Sequence, residues 1–457
     1  MASKSWNIFE KLKGDKVVWL ITLILFLFSI LCIFSSSTSL VNSHQSRLDI
    51  VKDQVKYVAM GLGLVVLIYN FGSVKLIRAA SRIGLAISLI LLGILVFGEL
   101  VGGDLGPIHV EKRNGAVRAF TLFGKQVYVY EVVKVAMVMY IARRVDDLEK
   151  DNFPLLNKLG KSFPWMRTPA AKRWLTVYAP FLLVCVLVMK GSNSSAIFIG
   201  GIMALTLCIG TGKKKDITTL LCCAAAGAAL ILGAHFVSGG KMFPRIKTLF
   251  SRTADNNWEE IMKTSKPNSL EYSKALDNLR QPYSAKIAVH QGGLIGKGPG
   301  QSTQRYVVPD MCSDYMFSFI VEEYGLWVGA IVIILFASLL ARGSIIIRNC
   351  GKNALFEKTA IAGLVLLISL QAFMHICVNV GIGPLTGQTL PILSNGTGAM
   401  LCFSVAFGVI LSISRKAEKG VSRELKNAEP IAVQKEAVEA SLDELEQFEN
   451  EEYEDTI

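Results

Sequence analysis

The chain has 457 residues, 52% of them hydrophobic, a mean hydropathy of +0.44 and a formal net charge of +12. Apolar runs of about 20 residues recur along most of its length, as an α-helix needs to cross a bilayer, which indicates a polytopic membrane protein. A membrane β-barrel would show short alternating segments instead, and the positive charge reflects membrane topology rather than nucleic-acid binding.

In chain order, residues 1–16 are basic and precede a full-length apolar span with no clear small-residue cleavage site. That start reads as a retained signal-anchor on a cytoplasmic N-terminus. Ten helical spans are predicted, near 17–36, 54–71, 79–99, 127–144, 172–190, 195–211, 217–237, 315–341, 357–382 and 392–414. The fold class is therefore an all-α membrane domain over 17–414. Lys75, Arg78, Arg82, Arg143, Arg144, Lys213, Arg342, Arg348, Lys358, Arg415 and Lys419 all fall in loops of one side. The positive-inside rule makes that side cytoplasmic, with both termini inside. Residues 239–313 then form a large outer loop between the seventh and eighth spans. Its 11 Lys/Arg against 6 Asp/Glu run contrary to the rule, but loops this long translocate largely regardless of charge. Residues 415–457 form a cytoplasmic tail that turns acidic, with 12 acids and 3 bases from Val421 on. It reads as a solvated, partly disordered segment.

Most of the nine cysteines sit inside apolar spans, without a disulfide framework or a CxxC pair. The five histidines lack metal spacing; His290 reads as an ordinary loop residue.

Four blocks carry chemistry. The first runs from Asn114 to Arg118 and continues into the fourth span with Glu131 and Lys134. Three residues apart on a helix, Glu131 and Lys134 share a face and can pair. Either they neutralise each other between helices, or Lys134, with Arg118 above it, receives a lipid-borne phosphate. The second block is Gln281–Gly325, polar and glycine-rich, which reads as flexible backbone leading straight into the eighth span. Asp314 stands at that junction, and a carboxylate at the bilayer edge is a functional candidate by default. Lys286, Lys297, Arg305 and the Pro309-Asp310 pair lie nearby, and Glu322 and Glu323 follow inside the span, read as structural or metal-associated. The third block, Asn379–Gly396, interrupts an apolar run with Pro and Gly; irregular backbone at that depth must be buried or line a cavity. The fourth, Leu411–Arg415, closes the last span.

This ordered set resembles the SEDS family (shape, elongation, division and sporulation). The resemblance rests on Asn114–Arg118, Glu131/Lys134, Gln281, Gly292/Gly293, Gly296/Gly298/Gly300, Ser313-Asp314-Tyr315, Glu322/Glu323/Gly325, Pro384–Pro391 and Ser394. Departures are Ala119 after the arginine, Tyr128-Val129-Tyr130 before Glu131, Ser394-Asn395-Gly396-Thr397, and Gly191–Ser195 where the family has an acidic motif. The residues leading into the first span and the long tail favour the division-type branch over the elongation-type.

The resemblance implies a peptidoglycan glycosyltransferase that polymerises lipid II, a disaccharide-pentapeptide on undecaprenyl pyrophosphate, in the bacterial cytoplasmic membrane at the septum. It implies Asp314 as catalytic base, and Arg118, Glu131, Lys134, Gln281, Lys297, Arg305 and Ser394 as substrate-binding residues. Cations, or a divalent metal such as Mg2+ or Mn2+, would stabilise the leaving pyrophosphate. The expected partners are membrane lipid, a class B penicillin-binding transpeptidase and other division proteins. The outer loop has sparse apolar content before Gln281, so such a partner is expected to order its Asp314 end. A lipid II flippase and a non-catalytic division scaffold are the alternatives.

Overall fold

The computed structural model describes residues 13–36, 47–113, 116–122, 125–213, scattered residues between 216 and 227, 264, 267, 269–308, 311–382, 386–396 and 398–421. The helices that carry the fold are α1 (Lys16–Ser36), α2 (Arg47–Phe71), α3 (Val74–Ala80), α4 (Gly84–Val101), α5 (Val129–Glu149), α6 (Pro169–Gly191), α7 (Asn193–Thr211), α8 (Leu270–Gly292), α9 (Met316–Asn349), α10 (Leu355–Asn379) and α11 (Gly398–Val421). Eight helices in the described residues are long and apolar enough to cross a membrane. The chain is a multi-pass membrane protein. The fourth predicted span, now α5, begins at Val129 and is not one of the eight, because it carries Glu131, Lys134 and a charged last turn. The seventh, 217–237, lies largely outside the described residues, as do Asn114-Gly115, Pro309-Asp310, Pro384, Thr397 and the acidic tail.

The centre of the bundle is α10 and α11. Their apolar windows are 72% buried, against 28% for α2 and α9, which leave more of their apolar surface facing outward. Phe336, Phe356, Phe403 and Phe407 are fully buried there and join α9, α10 and α11 into one core. A second core packs α4, α5, α6 and α7 around Met137, Ile141 and Val184.

Both chain ends of the bundle meet on one face. Asp15 N–H donates to Ser414 Oγ at 2.7 Å, Arg342 Nε donates to Asp15 at 2.8 Å, and Tyr69 donates to Lys13 O at 2.7 Å. The Arg78 and Arg143 ends of α3 and α5 also touch each other, Arg143 Nη1 donating to Arg78 O at 2.5 Å. Thus Arg78, Arg143 and Arg342, among the loop cations counted as cytoplasmic, make contacts at helix ends on that side, in keeping with the positive-inside reading.

Three features refine the expected fold. The domain is not wholly α: β1 (Asp104–Leu105), β2 (Ile108–Arg113), β3 (Ala116–Leu122) and β4 (Lys125–Tyr128) form an antiparallel sheet in the order 1-2-3-4 at the outer end. Arg113 pairs with Ala116 across the Asn-Gly dipeptide, a strong sequence signal for a two-residue hairpin. Second, the outer loop holds helix α8, which contains Pro282 and buries Ala285 and Ala288.

Third, the glycines after α8 serve close approach rather than flexibility. Helix α9 is broken at Gly325, with φ 82° and ψ 172°, a region essentially limited to glycine. The break frees backbone groups that need partners. The 293–298 segment supplies them: Lys297 N and Gly298 N donate to Glu322 O and Glu323 O at 2.9 Å, and Leu326 N donates to Gly293 O at 3.0 Å. A Cβ on Gly296 would sit 2.4 Å from Glu323 O, and one on Gly325 would sit 2.3 Å from Leu294 O.

Candidate functional site

Where the sheet, α5, α7 and the segments before α9 and α11 converge, they enclose a cleft of about 150 Å³. Strand periodicity aims Arg118 at it. Val117 and Ala119 are buried at 4% and 6%, so Arg118 between them projects to the opposite face. The strand is pinned from behind by Tyr130, whose hydroxyl donates to Val117 O at 3.0 Å. Gly191 makes room for that contact: a Cβ there would lie 1.8 Å from the Tyr130 oxygen.

Asp314 enters the cleft from the turn before α9. Its backbone is held tightly. Asn379 Nδ2 donates to Asp314 O at 3.1 Å, Ser394 Oγ donates to Ser313 O at 2.8 Å, and Asn395 N donates to Cys312 O at 2.8 Å. The first turn of α9 leaves N–H groups without intrahelical partners. His375 Nε2 accepts from Phe317 N at 3.3 Å and Asn379 Oδ1 from Ser318 N at 2.9 Å. Since Nε2 accepts, the imidazole proton belongs on Nδ1, which lies 2.7 Å from Gln388 O. Asp314 and Arg118 flank Gly387: a Cβ built there would be 3.6 Å from Asp314 Oδ2 and 3.7 Å from Arg118 Nη1.

Glu131 lines the same cleft, and Lys134 lies beneath it, 2% exposed. The predicted pair forms, with Lys134 Nζ 2.7 Å from Glu131 Oε1. Lys134 also donates to Gln371 Oε1 and Gln388 Oε1, each at 2.8 Å. Those three acceptors use all three ammonium protons. The network continues outward: Gln388 Nε2 donates to Ser195 Oγ at 3.1 Å, and Gln371 Nε2 to Thr389 O at 3.0 Å.

The structure therefore brings Asp314, Arg118 and Glu131 together, with Lys134 under the floor and Ser394 behind the Asp314 turn. It keeps Gln281, Lys297 and Arg305 out of the cleft lining. Gln281 lies on α8. Lys297 donates to Glu322 at 2.7 Å, and Arg305 lies 3.5 Å from Glu323 and donates to Ser35 O at 3.0 Å. Glu322 and Glu323 are fully buried and hold the 297–305 loop against the broken helix.

Sequence reasoning passed over Gln371 and His375, and it included Asn379, Gln388 and Ser195 in its segments without giving any of them a role. The first three had a signal: polar residues four apart on one face of a hydrophobic span. Gln388 and Ser195 sit in irregular or terminal segments, where no period marks them. Among the described residues no three His, Cys, Asp or Glu side chains stand together as metal ligands.

Known proteins fit this architecture. A family model described as the cell cycle protein family FtsW/RodA/SpoVE matches residues 15–419. A probable peptidoglycan glycosyltransferase FtsW of Caulobacter vibrioides is 39% identical over 132 residues, 29% of this chain and 33% of that protein. Stage V sporulation protein E of Bacillus subtilis is 25% identical over 408 residues, 89% of this chain and 98% of that protein. In fold, the chain resembles a subunit from a peptidoglycan synthase complex that coordinates polymerization and crosslinking, with a TM-score of 0.58 and 16% identity over 88% of this chain and 98% of that one. With an ordered match across nearly all of its membrane domain, this chain belongs to the FtsW/RodA/SpoVE family, the SEDS membrane proteins.

Proposed function

We propose that the chain is a peptidoglycan glycosyltransferase that polymerises lipid II at the bacterial cytoplasmic membrane, in the FtsW-type division branch and at the septum. The observation that carries the reading is the meeting of Asp314 and Arg118 across Gly387, at the mouth of a membrane bundle. A carboxylate and a guanidinium that each lie within 4 Å of the Gly387 Cβ position suit a reaction that removes one proton and expels one anion.

Asp314 takes the proton from the sugar 4-hydroxyl of the acceptor. That oxygen forms the new bond to the donor's anomeric carbon from the face opposite the leaving group, so the configuration inverts. The bond from the anomeric carbon to the pyrophosphate oxygen breaks, and the lipid pyrophosphate departs as a stable anion. No second carboxyl is needed to protonate it, unlike glycoside hydrolysis. Arg118 offers the leaving group a forked, permanently charged partner. Lys134 has no spare proton for the substrate, so it acts by fixing Glu131 and Gln388 at the cleft wall.

The FtsW name of the Caulobacter relative and its shared sequence support the reaction class and the division branch. The fold likeness to a subunit of a synthase complex supports a crosslinking partner of the class B penicillin-binding type.

The test is purified protein, with and without that partner, given labelled lipid II and no other glycosyltransferase. Glycan chains are expected, and Asp314→Asn, which keeps size and removes basicity, should lower their formation by at least about a hundredfold. Transfer of lipid II between leaflets without chains would establish the flippase instead. Partner binding with neither activity would establish a scaffold.

A further inference from the structure

A second cavity runs along the bundle from Val132 and Cys402, one and three residues past the cleft-lining Glu131 and Ala399, toward the cytoplasmic end. It is an apolar groove of about 370 Å³, bounded by Phe71 and Leu76, Gly84 and Ile87, Met139 of α5 and Val409 of α11. Gly84 sets its depth, because α4 crosses α5 so closely that a Cβ there would be 2.6 Å from Ala136 O. Phe71 is 76% exposed and Leu76 57%, so the groove opens sideways toward the hydrocarbon rather than into the protein.

Its cytoplasmic mouth is cationic. Lys75, Arg78 and Arg82 flank the residues of α3 and the following turn that form one wall. Arg143 stands one helical turn beyond Met139 on α5 and donates to Arg78 O at 2.5 Å. Arg82 is close enough to Arg143 to interact with it electrostatically. Two buried acids answer part of this charge. Asp147 lies 3.3 Å from Arg78, 3.2 Å from Arg143 and 3.3 Å from Arg144, while Asp146 contacts Arg78 and lies 2.7 Å from Lys150. Lys75 and Arg82 are exposed, and among the described residues neither is paired with a carboxylate. Among the described residues, Lys75, Arg78, Arg82, Arg143, Arg144 and Lys150 thus face only Asp146, Asp147 and the exposed Glu149. Among these residues, positive charge is left uncompensated at the end of an open apolar groove.

We propose that the groove and its mouth bind an anionic phospholipid of the cytoplasmic leaflet, with an acyl chain along Leu76, Ile87 and Met139 and its phosphate on Lys75 and Arg82. Each half of the site excludes an alternative. A free phosphate would leave the groove unfilled, and a soluble peptide would have to enter the hydrocarbon layer to fill it. A zwitterionic lipid would fill the groove without answering the charge. Basic pockets between membrane helices on the cytoplasmic side recognise anionic headgroups in this way. The bound lipid would bridge α3, α4 and α5, closing the groove between them from the bilayer side.

The test uses the full chain in nanodiscs of equal parts phosphatidylglycerol and phosphatidylethanolamine, followed by native mass spectrometry of the retained lipid. The ratio of phosphatidylglycerol to phosphatidylethanolamine in the retained lipid should be at least about fivefold above the bulk ratio, the effect expected of even one well-placed cation. Lys75→Gln with Arg82→Gln should return the ratio to bulk while thermal unfolding in lipid-free detergent stays at the parent value, since both side chains are exposed. Ala80→Trp, which fills the groove and keeps the cations, should lower retention of both lipids. A bulk ratio in the parent, or undiminished enrichment in the double variant, would overturn the proposal. So would displacement of phosphatidylglycerol by stoichiometric undecaprenyl phosphate, which would identify a polyprenyl carrier as the occupant.

Discussion

Replacing Lys134 by methionine tests how the cleft is held. Methionine has nearly the same length but no charge and no donor. In the parent, the ammonium donates at 2.7 Å to Glu131 and at 2.8 Å to both Gln371 and Gln388. Removing it strands Glu131, whose side chain is 13% exposed and whose Oε2 already lacks a hydrogen bond. Breaking a buried ion pair from one side costs about 3–5 kcal/mol. Each buried amide oxygen left unmet adds about 1–3 kcal/mol where water cannot reach it. Gln388 borders the cleft and can be rehydrated, whereas Gln371 is fully buried, so the loss should come to about 4–8 kcal/mol. Adding Glu131→Gln removes the stranded charge. The double variant should then be more stable than Lys134→Met alone, with a coupling near the top of the roughly 0.5–3 kcal/mol range for contacting residues. Equilibrium unfolding in mixed detergent micelles reads all four corners of the cycle. A Lys134→Met protein within about 0.5 kcal/mol of the parent, the size of an ordinary surface change, would refute the reasoning. Additive single effects would do the same.

Other outcomes follow from the same geometry. Arg118→Ala should weaken lipid II binding about tenfold to a hundredfold, the worth of a charged hydrogen bond, and Arg118→Lys should restore only part of it because a fork becomes a point charge; unchanged binding isotherms would remove Arg118 from the substrate site. Ser394→Ala deletes the hydroxyl that joins Ser313 O to Leu390 N at 2.8 Å each. It should cut kcat by more than about tenfold through a displaced Asp314, since small misplacements of a reacting group are costly, while the protein still inserts and folds. A parent-like kcat would show that the turn holds itself. Gly325→Ala should destabilise by about 2 kcal/mol or more, because its backbone region suits only glycine and its Cβ would meet Leu294 O at 2.3 Å. A parent-like melting curve would mean that the 293–298 segment yields easily.

By itself, the sequence determined what composition and period control. Hydrophobic runs of bilayer length located the described spans to within a few residues at most ends, since lipid admits few other backbones than satisfied helices. Loop cations oriented them. Glu131 and Lys134 could be paired from spacing alone, and Asp314 stood out because a carboxylate at a membrane edge is rare. What stayed illegible depended on long-range contact. Lys134 meets Gln371 and Gln388 across 237 and 254 residues, a distance that no local pattern spans. Three cations near Asp314 in sequence looked equivalent, yet Lys297 and Arg305 are committed to Glu322 and Glu323, while Arg118, about two hundred residues earlier, reaches the cleft. The 104–128 sheet was hidden between two apolar runs, where its Asn-Gly signal was outweighed by the helical pattern on either side. Charges and glycines are chosen by local chemistry, but which charge meets which is decided by packing, because a buried ion settles on whichever partner the fold brings within about 3 Å.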